Sequence, residues 1–395
     1  MKQITVVGGG FSGLTTSYYL ARKGIPVRLI EKQDRLGGVV GTLDTPHGPV
    51  ELAASGIRST ARLEALCADL GVPLLETRKE SRARYLFRGG PRRWPLGPIE
   101  SLGLGARLIG NVATGRFRPF EGETVHQWAS RVLGESASRY IVGAALQGIY
   151  AGDPNQLSAS LIFGRKEKPV KGTKKGLVAP PVGMSQLIDS LESRLRSMGV
   201  AIELGTEVAG PIDGTVVIST SASDAVNLLS RRSPDLAARI GRIEMLPLIR
   251  VTAFFPASEN TIGGFGILFP RNQGVKALGV LFNTNIFENR GEGHSESWIY
   301  GGAADRDIME IDDQALLEQV ARDREIVYGR AVEPLGAYPH RWTKALPHYD
   351  VGLERMLREG IHAPSGIYLA GNYVRGIGLP MLLERAWDVA EQVAG

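Results

Sequence analysis

The chain has 395 residues, 43% of them hydrophobic, enough for two or three domains with buried cores and too ordinary in composition for disorder. Its one cysteine, Cys67, excludes an internal disulfide and a cysteine-built metal or redox centre, and it suits a reducing, cytoplasmic setting. Net charge is +5, but residues 79–179 hold 17 basic and 7 acidic side chains, net +10, so an anionic partner is expected for that segment.

Residues 3–7 form a short β-branched run, followed by a glycine turn, an amphipathic stretch over Ser12–Lys23 and a second strand over Val27–Glu31. This is βαβ grammar, with no charged leader or cleavage pattern to mark a signal peptide. Gly24-Ile25-Pro26 stops the first helix, and a second is expected over Thr60–Gly71 with Leu63, Leu66 and Leu70 on one face. Residues 79–179 change character, with arginines, Trp94, prolines and helical patterns over 101–109, 124–133 and 137–146; they read as an inserted helical subdomain. A basic stretch over 165–175 and Ala179-Pro180-Pro181 close it. No apolar run, Ile141–Ala151 included, reaches the roughly 18 residues a membrane-spanning helix needs.

From residue 182 the α/β pattern returns, with a helix over 185–198 and strands over 200–204 and 215–220. Strands over 248–256, 266–270, 278–283 and 297–301 with a helix over 311–323 then form an α+β block, before a last strand (366–370) and helix (380–393). The expected fold is thus α/β plus α+β. A Rossmann-like domain is assembled from 1–78, 180–226 and 362–395, the helical insertion spans 79–179 and the α+β substrate domain spans 227–361.

Gly8-Gly9-Gly10-Phe11-Ser12-Gly13 fits GxGxxG between strand and helix, and Glu31 closes the next strand. Gly8 permits the tight turn, Gly10 lets a pyrophosphate approach the backbone, and Gly13 lets helix and strand pack closely. The helix start at Phe11 and Ser12 offers unpaired N–H groups to the anion, while Glu31 accepts from ribose hydroxyls and disfavours a 2′-phosphate. Glu31-Lys32-Gln33-Asp34-Arg35-Leu36-Gly37-Gly38, then Thr42, resembles the second-strand motif of the large FAD-containing amine oxidase superfamily. In that superfamily the arginine and paired glycines continue along the pyrophosphate towards the flavin. The resemblance implies FAD as cofactor and a role for Lys32, Arg35, Gly37, Gly38 and Thr42, with Val208 pairing its backbone with adenine. The strand and turn Gly366–Tyr373 match the turn that holds ribityl and pyrophosphate, through Gly371 and Asn372. The final helix, entered at Gly378-Leu379-Pro380, would aim its positive end at the flavin N1–C2=O edge. Superfamily members often carry an acid where this chain has Asn372, which points to a subgroup.

Outside the flavin site, Arg84-Tyr85-Leu86-Phe87, Gly148–Ser158, Gly264–Phe287 and Gly371–Pro380, with a weaker match at Arg341–Tyr349, resemble protoporphyrinogen oxidases, some of which act on coproporphyrinogen. A porphyrinogen is a broad apolar ring bearing carboxylates, and arginine pairs a carboxylate bidentately. The resemblance therefore implies Arg84 at the rim of a slot, with Gly264, Phe265, Phe269, Tyr373 and Leu379 lining it. It implies dioxygen as electron acceptor. The basic insertion serves either the substrate's carboxylates or attachment to an anionic inner membrane face. The rival readings are another superfamily enzyme, an amine oxidase or a desaturase, and a flavin- or tetrapyrrole-binding protein without turnover. The six histidines show no metal-ligand spacing, the basic residues show no nucleic-acid-reading motif, and no protein side chain is assigned as a catalytic acid or base.

Overall fold

The computed structural model describes residues 2–93, 105, 109–113, 115–164, 169–210 and 212–395. The helix expected over 101–109, all but its last residue and 105, together with Trp94 and residues 165–168, lies outside the described residues.

The β-branched run Ile4–Val7 is fully buried and forms the centre of a five-stranded parallel sheet. It pairs on one side with Val27–Ile30 (Val6 opposite Leu29) and on the other with Val216–Ile218 (Val6 opposite Val217). Ala201–Glu203 and Ile367–Leu369 are the edges, so three separate stretches of chain build one sheet. A parallel sheet needs both faces covered. The helices Phe11–Arg22, Ser185–Ser197 and Leu379–Ala394 bury one face, and Ala222–Leu229 with Pro234–Ile240 contribute to the cluster on the other. The helix Ala61–Leu70 begins at Thr60, whose hydroxyl accepts from Leu63 N, and ends at Gly71 in the left-handed region (φ 68°).

The second layer is a seven-stranded mixed sheet. Met245–Phe255 lies next to one edge of it, between His294–Gly301 and Gly336–Pro347 and antiparallel to both. The longest strand, Gly336–Pro347, is absent from the sequence-based expectation; it carries Pro339 and Pro347 and sits at the sheet edge, where missing N–H donors are tolerated. At the other end, Tyr85–Phe87 pairs in parallel with Ile267–Leu268 and Pro91–Arg93 follows it. This part of the segment read as a helical insertion belongs to the larger sheet. The remaining described part is helical, over Val125–Leu133, a π turn at Ser138–Gly143, Ala144–Tyr150 and Ala159–Phe163. Leu177–Ala179 returns to pair with Ile57–Arg58 and Leu75–Glu76.

A candidate dinucleotide cleft and its surroundings

The first turn of the parallel sheet is shaped by backbone needs. Gly8 has φ 99°, and a Cβ on Gly13 would lie 1.8 Å from the Gly8 carbonyl oxygen, so only glycine lets the helix start this close to the strand. The second glycine pair lies against the first. Gly10 bridges Gly37, Gly37 N–H donates to the Gly9 carbonyl (2.9 Å), and Gly38 (φ 60°) would put a Cβ 3.1 Å from Gly10 Cα. Glu31 is buried and anchored, its Oε2 accepting from Gly9 N–H (2.6 Å) and its Oε1 from Gln33 N–H (2.9 Å).

These residues open onto a cleft of about 370 Å³. Gly8, Gly10, Phe11, Ser12, Glu31, Lys32, Gly37, Gly38, Val208, Asn372 and Leu379, eleven of the residues expected at a dinucleotide, line it together. Two helix N-termini meet there. Phe11–Arg22 and Leu379–Ala394 both begin after a glycine, Gly10 and Gly378, with no side-chain cap and no acid in the first turn. At the first helix Phe11, Ser12 and Gly13 keep N–H groups free of intrahelical partners, whereas at the second Pro380 has no N–H and Met381 and Leu382 donate to the Gly378 carbonyl, which leaves Leu379 N–H. Both starts present a positive end to an anion, the chemistry a diphosphate requires. The donor set therefore fits FAD. The Gly371 turn is held from behind, where the Tyr349 hydroxyl donates to the Asn372 carbonyl (2.6 Å) and Arg385 donates to the Leu369 carbonyl (2.8 Å).

Gly13 acts beneath the cleft rather than on its wall, as does Arg35. The Arg35 guanidinium donates to the Gly38 carbonyl (2.8 Å) and lies over the Trp342 ring (5.9 Å), bracing the glycine loop. Thr42 is turned elsewhere: its hydroxyl donates to Glu51 (2.8 Å) and its N–H to Ser185 (2.7 Å). Lys32 lines the cleft with its ammonium 3.2 Å from Asp224. Sequence reasoning missed Ser219, Thr220, Met245 and Trp342 as wall residues. Trp342 is fixed by donating its indole N–H to the Leu52 carbonyl (3.0 Å), a contact 290 residues apart with no local signal.

The residues expected around a substrate fall into separate places. Arg84 is exposed, with its guanidinium 4.6 Å above the Phe265 ring. Gly264 (φ 85°) lets Phe265 N–H reach the Ala83 carbonyl (2.7 Å), which sets that pair. Phe269 is 1% exposed and stacked on Trp298 (5.8 Å, 7°), in the core behind the sheet. Tyr373 is fully buried; burial pushes its phenol far up, and its hydroxyl finds no partner among the described residues. Leu379 belongs to the dinucleotide cleft. Among the described residues no cluster of His, Cys, Asp or Glu has the makings of a metal site, and no helix is long and apolar enough to cross a membrane.

A sequence profile of flavin containing amine oxidoreductases matches residues 11–394. The chain belongs to that family. It is an FAD-dependent oxidoreductase. Similar curated proteins are the chloroplastic protoporphyrinogen oxidase of Nicotiana tabacum, 25% identical over 99% of this chain and 85% of that protein. The coproporphyrinogen III oxidase of Mycobacterium leprae is 26% identical over 99% and 98%. Among solved structures, a protein of Exiguobacterium sp. 255-15 superposes with a TM-score of 0.81 at 21% identity, covering 100% and 98% of the two chains. The cyclohexylamine oxidase of Brevibacterium oxydans IH-35A superposes at 0.75 and 17%, covering 100% and 99%; at these identities the likeness speaks for the fold alone.

Proposed function

We propose that this protein oxidises a porphyrinogen, coproporphyrinogen III or protoporphyrinogen IX, to the corresponding porphyrin in heme biosynthesis. The observation that carries this reading is the near-full-length similarity to curated proteins of both names, together with an exposed arginine seated on an aromatic face at a position expected for it. When bound, FAD would supply the redox chemistry, taking electrons from the substrate with dioxygen as the final acceptor. The protein's own part is positioning and electrostatics. The N–H groups of Phe11, Ser12 and Gly13 would hold the cofactor's diphosphate, the positive end of Leu379–Ala394 would face the flavin, and Glu31 would hold the ribose. Arg84 takes a substrate carboxylate, and Phe265 beneath it supports the apolar ring. Each hydride transferred is matched by loss of one pyrrole N–H proton, for which solvent is the proposed acceptor.

The basic insertion is assigned to meeting the poorly soluble substrate at an anionic lipid surface. There Ile109, Val112 and Phe120 are exposed beside Arg116 and Arg118, the apolar and cationic mixture that an interfacial element uses. Aerobic incubation of the FAD-loaded protein with each porphyrinogen tests the reading. Porphyrin fluorescence rising with three molecules of dioxygen consumed per porphyrin is expected; no enzyme-dependent fluorescence with either one would refute it.

A further inference from the structure

Behind the cleft, where the two sheets meet, the chain buries more positive charge than it neutralises. Arg250 rises from the strand Met245–Phe255 on the face that packs against residues 52–55, and it is 5% exposed. It donates to the Ala53 carbonyl, to the Ser55 hydroxyl (2.8 Å) and to the Ser297 hydroxyl (2.8 Å), with Asn283 Oδ1 at 3.4 Å. All of these partners are neutral. Among the described residues no carboxylate lies within ion-pair distance of Arg250, and Glu51 acts on it only at longer range. A small recess joins it to Arg290, 2% exposed, which is committed to the Pro180 and Pro181 carbonyls (2.9 Å each). Glu51, 3.9 Å from Arg290, is the one acid lining that recess. The Nε–H groups of both arginines are buried without an acceptor.

Unpaired buried charge is costly, so retaining it calls for a reason. Its placement suggests one. Trp342, a wall of the dinucleotide cleft, holds the Leu52 carbonyl, and Arg250 holds the next carbonyl along, Ala53. The two side chains stand on neighbouring paired positions of the same sheet face, Trp342 opposite Leu248 and Arg250 opposite His340. Arg250 is therefore one same-face residue pair along from this cleft-wall tryptophan, buried in a seam where fields are weakly screened. Desolvation lowers its own pKa to about 10, which leaves it charged at neutral pH.

We propose that Arg250, backed by Arg290, supplies a fixed positive field that raises the reduction potential of the bound flavin. Hydride transfer brings two electrons and one proton to the ring and leaves one negative charge on it; a cation held nearby in low dielectric stabilises that charge without reorganising. At an effective dielectric of about 20, one unit charge is worth roughly a tenfold shift in such an equilibrium even at about 10 Å. The proposal needs only the flavin, so it stands or falls independently of which substrate is oxidised.

The test is the flavin midpoint potential, measured anaerobically against reference dyes on FAD-loaded protein. Arg250→Gln is expected to lower it by about 30 mV or more, the tenfold change of a two-electron couple. Arg250→Lys, which keeps the charge, and Ser297→Ala, which removes only a neutral partner, are expected to retain most of the wild-type value. A wild-type potential in Arg250→Gln, or a fall as large in Arg250→Lys as in Arg250→Gln, overturns the proposal. Should Arg250→Gln fail to hold FAD, Arg290→Gln carries the test: a lowered potential supports the field, and an unchanged one overturns it.

Discussion

The parallel-sheet half of this molecule lines its candidate cleft largely with main-chain groups, whereas the seven-stranded half keeps its distinctive chemistry on charged side chains. The candidate cleft is lined by glycines at 8, 10, 37 and 38 and by two helix starts without side-chain caps, with Glu31 anchored beside them by the Gly9 N–H. In the other half, Arg324 (2% exposed) joins Glu259 (3.0 Å) and Glu296 (3.3 Å), His294 meets Glu296 (3.1 Å), and Arg250 has neutral partners alone. Backbone recognition depends on spacing within a short stretch of sequence. Side-chain networks depend on partners from far along the chain, 28 and 65 residues away for Arg324 and up to 195 for the Ser55 partner of Arg250. The first half is therefore intolerant of added atoms, and the second of removed charges.

The sharpest way to break the contrast is Gly13→Val. Its Cβ would lie 1.8 Å from a backbone oxygen that cannot yield, and overpacking of this kind costs about 3 kcal/mol or more. The expected result is protein without flavin absorbance near the visible maximum; a yellow, fully loaded variant would mean the turn is looser than described. Glu31→Gln is next. It removes a charge that accepts from Gly9 and Gln33 N–H, and bonds to charged groups contribute about 1.5–3 kcal/mol. FAD affinity, read by fluorescence titration of the apoprotein, should fall roughly tenfold to a hundredfold.

Arg84→Ala moves the test to the substrate side. It should raise KM for the porphyrinogen about tenfold, leave kcat nearly unchanged and leave FAD content untouched, the pattern of lost ground-state binding. Lost flavin in this variant would erase the separation between the halves. The smallest effect lies within the parallel-sheet half, where Glu64 on the helix Ala61–Leu70 ties down residues 173 and 174. The Ser59 hydroxyl and the N–H groups of Lys174 and Thr173 hold the Glu64 carboxyl at about 2, below its ordinary 4.5. A carboxyl lowered in the folded state adds stability above the ordinary value, and that stability is lost as pH falls from about 4.5 towards 2. Glu64→Gln should flatten this slope in acid denaturation by less than about 1 kcal/mol, because the group is solvent-screened. An unchanged acid profile would mean that the Glu64 contacts to residues 173 and 174 contribute nothing to stability.

The same contrast decides what the sequence discloses. Gly8, Gly10, Gly13 and Glu31 are legible because strand, turn, helix and acid follow one another within 31 residues, and Thr60 and Gly71 mark their helix by local caps. The strand Gly336–Pro347 is not, since Pro339, His340, Arg341 and Lys344 argue against a strand until its edge position is known. Ile249-Arg250-Val251 reads as an alternating strand with a solvent-facing arginine; only the packing of residues 52–55 against it buries that charge. Phe269 shows the reverse, an aromatic that motif order puts at a substrate and that tertiary stacking puts in the core.

The most direct test of the functional account is anaerobic stopped-flow absorbance of the FAD-loaded protein mixed separately with coproporphyrinogen III and protoporphyrinogen IX. The account predicts rapid bleaching of the flavin by one of them, followed on admission of air by porphyrin fluorescence and recovery of the oxidised spectrum. A flavin that stays yellow with both would contradict porphyrinogen oxidation and leave an FAD oxidoreductase with a different reductant.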